Sequence, residues 1–260
     1  EYDRLNRPAR LWARDNQNGE ATLRQRLEYG DGGDPNQPDS ERNATRAKNR
    51  LGRLHHHYDE AGRLSVGAYD FKGNITEKAR RVIRDERVAD CFTEAGTNDW
   101  QADEEMLLEP EAYVTSMAYD ALNRTTSMRY PEDVDGRRAE LRPRYNRSGA
   151  LAHVTLDDEV YVERIAYNAK GQRTFIAYGN KIWTRYAYDP DTFRLKRLHS
   201  GRFTKPDERM YQPNGGKLQD FAYHYDLAGN ILAILERVPG CGIRNHANTQ
   251  GLPASQPSFS

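Results

Sequence analysis

Hydrophobic and polar side chains alternate with a period of two in several short segments of the chain. In residues 221–225 the aromatic side chains Phe221, Tyr223 and Tyr225 alternate with small or polar ones, and residues 182–188 repeat the pattern. Turn-forming residues separate these segments. Period-two patterning broken by turns predicts short β-strands joined in hairpins.

One turn unit recurs between the predicted strands, with the approximate pattern Tyr-Asp-x-x-Gly-Arg/Asn-Leu/Ile. Clear copies stand at Tyr58–Leu64, Tyr69–Ile75 and Tyr225–Ile231. Variants carry Asn for Asp at Tyr145–Leu151 and Tyr167–Arg173, carry Asn for Gly at Tyr2–Arg7 and Tyr119–Arg124, or are one residue longer at Tyr188–Leu195. Internal repetition of this kind predicts an array of similar supersecondary units.

The chemistry of the unit predicts a hairpin tip. Tyr ends the incoming strand, and the Asp or Asn side chain accepts hydrogen bonds from backbone amides two residues on, which starts a turn. Gly or Asn then adopts the left-handed conformation that closes the turn. The turn formers expected to matter most are Asp59, Gly62, Asp70, Gly73, Asp226 and Gly229, and the tyrosines expected to pack as a ladder are Tyr58, Tyr69, Tyr167, Tyr188 and Tyr225.

Two stretches interrupt the repeats. Residues 30–50 begin with Gly, Asp and Pro and are predicted to form a long loop. Residues 84–112 are acidic and are predicted to form either a short helix or a loop, with Asp103, Glu104 and Glu105 on a solvated face. We therefore predict a repeat region over residues 1–238 with these two insertions, followed by an irregular tail over residues 239–260.

Composition favours a sheet that is solvated on both faces. Of 260 residues only 37% are hydrophobic, yet 16 are tyrosines, which suit cross-strand packing on a sheet with little deep core. Lys plus Arg and Asp plus Glu both number 39, so the net charge is zero, which argues against a general nucleic-acid binder. No apolar run is long enough to span a membrane, so we expect no direct membrane insertion. Because Glu1 lies directly on a repeat, we expect a segment of a longer protein.

The Tyr-Asp units resemble the YD repeats of the Rhs family. Longer blocks are similar to the B component, or B–C fusions, of bacterial insecticidal Tc toxin complexes: the blocks are His57–Asn74, Arg164–Arg173, Tyr186–Leu195 and Leu218–Tyr223. The resemblance implies an all-β fold with few helices, in which a ribbon of hairpins forms part of a hollow shell. It implies a structural function: enclosing a C-terminal toxic polypeptide for delivery by a secreted, extracellular complex. The implied partners are the remainder of the same shell, the enclosed polypeptide and a Tc A-type translocation component.

The family's self-cleavage site, an Asp-Pro-x-Gly block after the repeats, has no match in this sequence. Asp189 and Pro190 lie inside a repeat and are followed by Asp191, so no protease role is assigned to them. The sequence also lacks a nucleophile elbow, a phosphate-binding loop and a dinucleotide-binding fingerprint. We therefore expect no enzyme activity, no catalytic residue and no cofactor.

Two groups of side chains raise the question of a metal site or a disulfide. Alternation along a strand places His55 and His57 on one face and His56 on the other, and two imidazoles make an incomplete metal site. We predict no metal and a polar strand entering the Tyr58 hairpin. Cys91 and Cys241 are expected to be free thiols, with a disulfide between them as the alternative for a secreted toxin.

A second function remains open, because related YD repeats occur in surface proteins. In that case the chain is a cell-surface adhesion or carbohydrate-binding module, in which exposed Tyr and Arg side chains contact the ligand. The region that follows the repeats in the parent protein distinguishes the two functions. A polymorphic cargo domain there supports a container, and a membrane anchor supports an adhesin.

The turn assignment predicts that replacing Gly73 by Val destabilises the chain by about 1–3 kcal/mol, because a β-branched residue is strained at positive φ. Thermal or urea unfolding of the variant measures the effect. An unchanged melting temperature would contradict the hairpin assignment at this position.

Overall fold

The computed structural model describes residues 1–14, 19, 21–31, 37–87, 104–208 and 210–238. The chain divides into two compact units, Glu1–Leu141 and Arg142–Ser260. The predictions for Cys91, Cys241, Asp103 and the tail over residues 239–260 concern residues outside those described.

The first unit contains antiparallel strands that follow one another in sequence order. The bounds are β1 Arg10–Ala13, β2 Thr22–Tyr29, β3 Leu54–Asp59, β4 Gly62–Tyr69, β5 Ile75–Val82, β6 Tyr113–Tyr119 and β7 Thr125–Glu132. Strand β8, Arg138–Tyr145, begins in this unit, where it pairs with β7, and ends in the second. Two helices, α1 at Asp39–Ala47 and α2 at Glu104–Leu107, and a 3-10 turn at Asp85–Arg87 lie between strands.

The second unit continues the same order of antiparallel pairs. Its strands are β9 Leu151–Leu156, β10 Glu159–Tyr167, β11 Arg173–Tyr178, β12 Ile182–Tyr188, β13 Leu195–Asp207, β14 Met210–Tyr225 and β15 Ile231–Glu236. The predicted fold class, all-β with hairpin repeats and few helices, is confirmed. Among the described residues, no helix is both long and apolar enough to cross a membrane.

Among the described residues, each unit contains a small cluster of packed hydrophobic side chains, and single residues such as Val66 and Ile176 are buried outside the clusters. In the first unit, α2 and the residue after it return to the sheet, and Leu108 packs with Leu23, Tyr58 and Ile83. In the second unit, Phe203 packs with Ala177 and Trp183. Such small clusters fit the low hydrophobic content, because most strand positions remain partly solvated.

The prediction of a loop throughout residues 30–50 is wrong, because residues 39–47 form α1. Asp39 and Glu41 lie in the first turn and Arg46 in the last, an order that complements the helix dipole. The helix ends with a left-handed Asn49, whose N–H donates to the Arg46 carbonyl, while the Arg50 N–H donates to that of Thr45. This is the Schellman arrangement, with Asn in the position that Gly usually takes.

The acidic insertion contains the short helix that was one of its two predicted structures. The expectation of a solvated face is wrong for Glu104, whose side chain is 17% exposed and forms ion pairs with Arg63 and Arg81. Glu105 is exposed, as predicted, and it also pairs with Arg81. These ion pairs attach α2 to the sheet beside the Leu108 cluster.

Candidate functional site

The Tyr-Asp turns line one border of the sheet in each unit. The first of them, residues 3–7, precedes β1, and the others follow even-numbered strands. In an antiparallel sheet of sequential strands these connections all lie at the same strand ends. We call this border of each unit the YD border. Its turns are residues 3–7, 70–74 and 120–124 in the first unit and residues 146–150, 168–172, 189–194 and 226–230 in the second.

A single side-chain oxygen closes each turn. Asp70 Oδ1 accepts the backbone N–H groups of Lys72 and Asn74, both at 2.9 Å. Asn168 Oδ1 binds the equivalent amides of Lys170 and Gln172, both at 3.0 Å. Asp and Asn are therefore interchangeable in this function, as the sequence pattern predicted.

Where the fifth residue of the turn is polar, its side chain bonds to the second atom of the Asp or Asn head group. Asp120 Oδ2 accepts a hydrogen bond from Arg124 Nε at 2.7 Å. Where Asn168 replaces Asp, the direction reverses and its Nδ2 donates to Gln172 Oε1 at 2.9 Å. In these turns an acceptor at the first position therefore meets a donor at the fifth, and a donor at the first position meets an acceptor at the fifth.

The residue two positions before the outgoing strand has positive φ in the copies named above. Gly73 has φ of 95° and Gly229 of 106°, and Asn123 has φ of 61° where Asn replaces Gly. The longer copy places Phe193 in this conformation with φ of 59°, which sequence reasoning did not foresee. Gln172 Nε2 donates to the Phe193 carbonyl from the neighbouring turn, and the Lys170 ammonium lies over the Phe193 ring.

Tyrosine hydroxyls connect neighbouring hairpins along the YD border. The hydroxyl of the Tyr that ends an even-numbered strand donates to the backbone carbonyl at the start of the preceding strand. Such bonds join Tyr29 to Pro8 (3.0 Å), Tyr69 to Leu54 (2.7 Å), Tyr119 to Ile75 (3.0 Å), Tyr167 to Leu151 (2.8 Å), Tyr188 to Arg173 (2.9 Å) and Tyr225 to Leu195 (2.8 Å).

Five of the six accepting residues immediately follow a YD turn; the exception, Leu54, follows a different turn. The predicted tyrosine ladder is therefore a chain of hydroxyl-to-carbonyl hydrogen bonds as well as a row of packed rings. Burial raises the pKa of Tyr69, Tyr119 and Tyr188, so these hydroxyls stay protonated and keep donating at neutral pH.

The copy at Tyr58 forms a hairpin tip, as predicted, but it lies at the opposite border. Asp59 pairs with Gly62 in the β3–β4 ladder, which leaves a two-residue turn. Tyr58 is buried at 2% exposure, and its hydroxyl donates to Glu104 Oε2 at 3.3 Å instead of to a neighbouring turn. Gly62 is required here, because a Cβ would lie 2.2 Å from the carbonyl oxygen of Arg81.

A further turn of the same geometry was missed. Asp133 Oδ1 accepts the N–H groups of Asp135 and Arg137, both at 2.9 Å, and Gly136 has φ of 73°. No Tyr precedes Asp133 directly, so the repeat pattern did not include it. The spacing from Asp to Gly was the signal that could have found it.

The three histidines do not alternate as predicted. Tyr29 pairs with Leu54 and Glu28 with His56, so His55 is the extra residue of a β-bulge. A bulge breaks the alternation of side chains, and the rings of His55 and His56 lie 3.7 Å apart. Burial is the main cause that lowers the pKa of His55 to about 4 and of His56 to about 3, so both are neutral at pH 7.

The most deeply buried charge belongs to Asp220, which the sequence did not single out. Arg197 donates from Nε and Nη2 to the two carboxylate oxygens at 2.6 and 2.7 Å, and Lys217 Nζ donates at 2.7 Å. Burial acts to raise the pKa of Asp220, but these hydrogen bonds outweigh it and lower the pKa to about 2. Within the described part of the chain, no three or more His, Cys, Asp or Glu side chains form a group that could hold a metal ion.

Together, the sequential antiparallel strands and the YD border define a protein built from YD-repeat hairpins. No family model matches the chain. It is 26% identical over 199 residues to the toxin subunit YenC2 of Yersinia entomophaga and 26% identical over 252 residues to toxin subunit YenC1 of the same organism. These matches cover 72% and 90% of this chain but 19% and 22% of the relatives, so the chain spans about a fifth of their length.

Solved structures of Tc toxin components have the same fold. A TcdB2-TccC3 complex without its hypervariable C-terminal region has a TM-score of 0.67 at 21% identity, over 91% of this chain and 10% of that one. The Photorhabdus luminescens Tc holotoxin pore has a TM-score of 0.64 at 23% identity, over 89% and 10%. The predicted resemblance to Rhs/YD-repeat components of Tc toxins is confirmed.

The tyrosine bonds predict a specific cost for removing one hydroxyl. Tyr167→Phe should destabilise the chain by about 1 kcal/mol, because the Leu151 carbonyl loses its donor. Tyr161→Phe is the matched control on the same strand, since Tyr161 is exposed and its hydroxyl has no partner among the described residues. Urea unfolding compares the two variants, and equal stabilities would contradict the role of the bond.

The turn carboxylates predict how stability depends on pH. Hydrogen bonds from the side chain at the fifth position are the largest cause that lowers the pKa of Asp70, Asp120 and Asp226. A carboxyl whose pKa is lower in the folded chain than in the unfolded chain stabilises the fold fully above its ordinary pKa of 3.8, and this contribution is lost as pH falls through the folded pKa.

Replacing all three residues by Asn should therefore flatten the loss of stability between neutral and acidic pH. Asp191→Asn is the control, since its carboxylate accepts no hydrogen bond within the described residues. Urea unfolding across this pH range measures the slopes. A triple variant with the wild-type slope would argue against the turn carboxylates as the source.

Proposed function

We propose that this chain is a stretch of the encapsulating β-shell of a Tc/Rhs-type toxin, which encloses a C-terminal toxic polypeptide for delivery. The observation that carries the proposal is the YD border, where the same tyrosine contact recurs between neighbouring turns within each unit. Repeats joined only to their neighbours can be added without enlarging a central core. The wall of an enclosing shell must be able to extend in this way.

The small apolar clusters also suit a wall. A sheet with little deep core presents polar groups on both faces, one toward solvent and the other toward an enclosed volume. The buried carboxylate of Asp220 supports a structural role, because Arg197 and Lys217 hold it inside the sheet. We accordingly propose that the chain is not an enzyme and needs no cofactor.

The names of the relatives support the choice of partners. YenC1 and YenC2 are toxin subunits, and TcdB2-TccC3 structures pair two components. By analogy, the proposed partners here are the remainder of the same Rhs shell, the enclosed polypeptide and a Tc A-type translocation component. The proposed location is extracellular, within a secreted complex, without nucleic acid and without direct insertion into a membrane.

Protease protection tests the enclosure. The full-length parent, with its native C-terminal region, is treated with a protease while intact and again after the shell is denatured, and the fragments are mapped by mass spectrometry. The region after the repeats should stay uncut in the intact protein and be cut rapidly in the denatured one. Rapid cutting in the intact protein, with the repeats surviving, would refute enclosure and favour the surface-binding alternative.

A further inference from the structure

Strand β14 carries a three-residue bulge over Asn214–Gly216. The β13–β14 pairing steps from Gly201 with Lys217 to Phe203 with Pro213, so the three bulge residues face a single residue of β13. Gly215 has φ of +84°. The bulge marks the base of a distal arm, which we define as residues 203–208 and 210–213.

The bulge residues are exposed and uncrowded. A Cβ added at Gly215 or at Gly216 would meet no atom within 4 Å. The Asn214 side chain is exposed and makes no hydrogen bond within the described residues. Asn168 at the YD border differs, because its side chain binds two backbone amides and Gln172, and Ala169 follows it.

We infer that Asn214 is a site of spontaneous deamidation. The deprotonated backbone nitrogen of Gly215 attacks Cγ of Asn214, so a C–N bond forms and a five-membered succinimide ring closes. The Cγ–Nδ2 bond breaks, and Nδ2 takes up a proton and leaves as ammonia. Water then opens the ring at either carbonyl, which gives aspartate or isoaspartate; no redox partner is needed.

Three features favour this reaction at Asn214. The missing Cβ of Gly215 lets its nitrogen approach the side chain. The unpaired bulge leaves the backbone free to rotate toward the ring-closing geometry. Among the described residues, no hydrogen bond holds the Asn214 amide away from Gly215, in contrast to Asn168 at the YD border.

The product changes the attachment of the distal arm. The arm is held by Phe203, which is 2% exposed, by the ring contacts of Tyr211 with Phe175 and Phe203, and by the 2.6 Å pair of Lys205 with Glu163. Isoaspartate lengthens the backbone by one atom at the base of this arm. Either product adds a carboxylate three residues from Lys217, which already donates to Asp220.

The experiment follows deamidation in the whole 260-residue chain. Folded chain and urea-unfolded chain are held at mildly alkaline pH, and peptide mapping resolves the peptides that contain Asn214, Asn168 and the other Asn-Gly pair, Asn18–Gly19. The Asn214 peptide of the folded chain should gain about one mass unit as aspartate and isoaspartate, at a rate close to that of the unfolded chain. Folded Asn168 should remain intact.

Two variants test the chemistry. Gly215→Ala should slow the reaction at Asn214 by at least an order of magnitude, and Asn214→Gln should abolish the conversion on the same timescale. Neither should change the rate at Asn18. Protection of folded Asn214 as complete as that of Asn168, or a rate unchanged by Gly215→Ala, would overturn the proposal.

Discussion

The structure depends on one interaction, an Asp or Asn side-chain oxygen that accepts two backbone N–H groups within a five-residue turn. Asp70, Asp120 and Asn168 make this interaction with nearly the same distances. It fixes where each strand ends and so places the preceding Tyr beside the start of the previous strand. The tyrosine hydrogen bonds follow from this placement, and they align neighbouring hairpins without a deep core.

The arrangement distributes stability along the sheet. Each tyrosine bond contributes about 1 kcal/mol, a modest amount compared with burial of a large apolar side chain, but the bond recurs with each repeat. The two apolar clusters and the buried Asp220 ion pairs add local anchors at places that the repeats do not determine. A segment of this kind takes its stability from neighbouring contacts, which agrees with a chain that spans about a fifth of its relatives.

The parts that could be predicted are those governed by local chemistry. The turn at Gly73 follows from Asp70 and glycine's tolerance of positive φ, and the all-β class follows from the alternation between turns. The features that the sequence did not predict depend on contacts between residues distant in sequence or on a change of strand register. The bulge at His55 is set by pairing with β2, and Glu104 is held by arginines of two strands. Asp220 is paired with Arg197 of the neighbouring strand β13. Helix α1 could have been predicted, because Asp39 and Glu41 at its start and Arg46 at its end are the charges that a helix dipole favours. The Gly- and Pro-rich start of the insertion favoured a loop instead.

Backbone hydrogen exchange tests the central claim most directly. The amides of Asn74, Gln172 and Asn230, which donate to the turn oxygen four residues earlier, are compared with strand amides of the same hairpins. If the side-chain oxygen is the constraint that sets the repeats, these turn amides should exchange as slowly as the adjacent strand amides. Exchange at the rate of exposed loop amides, while the strands stay protected, would contradict the account.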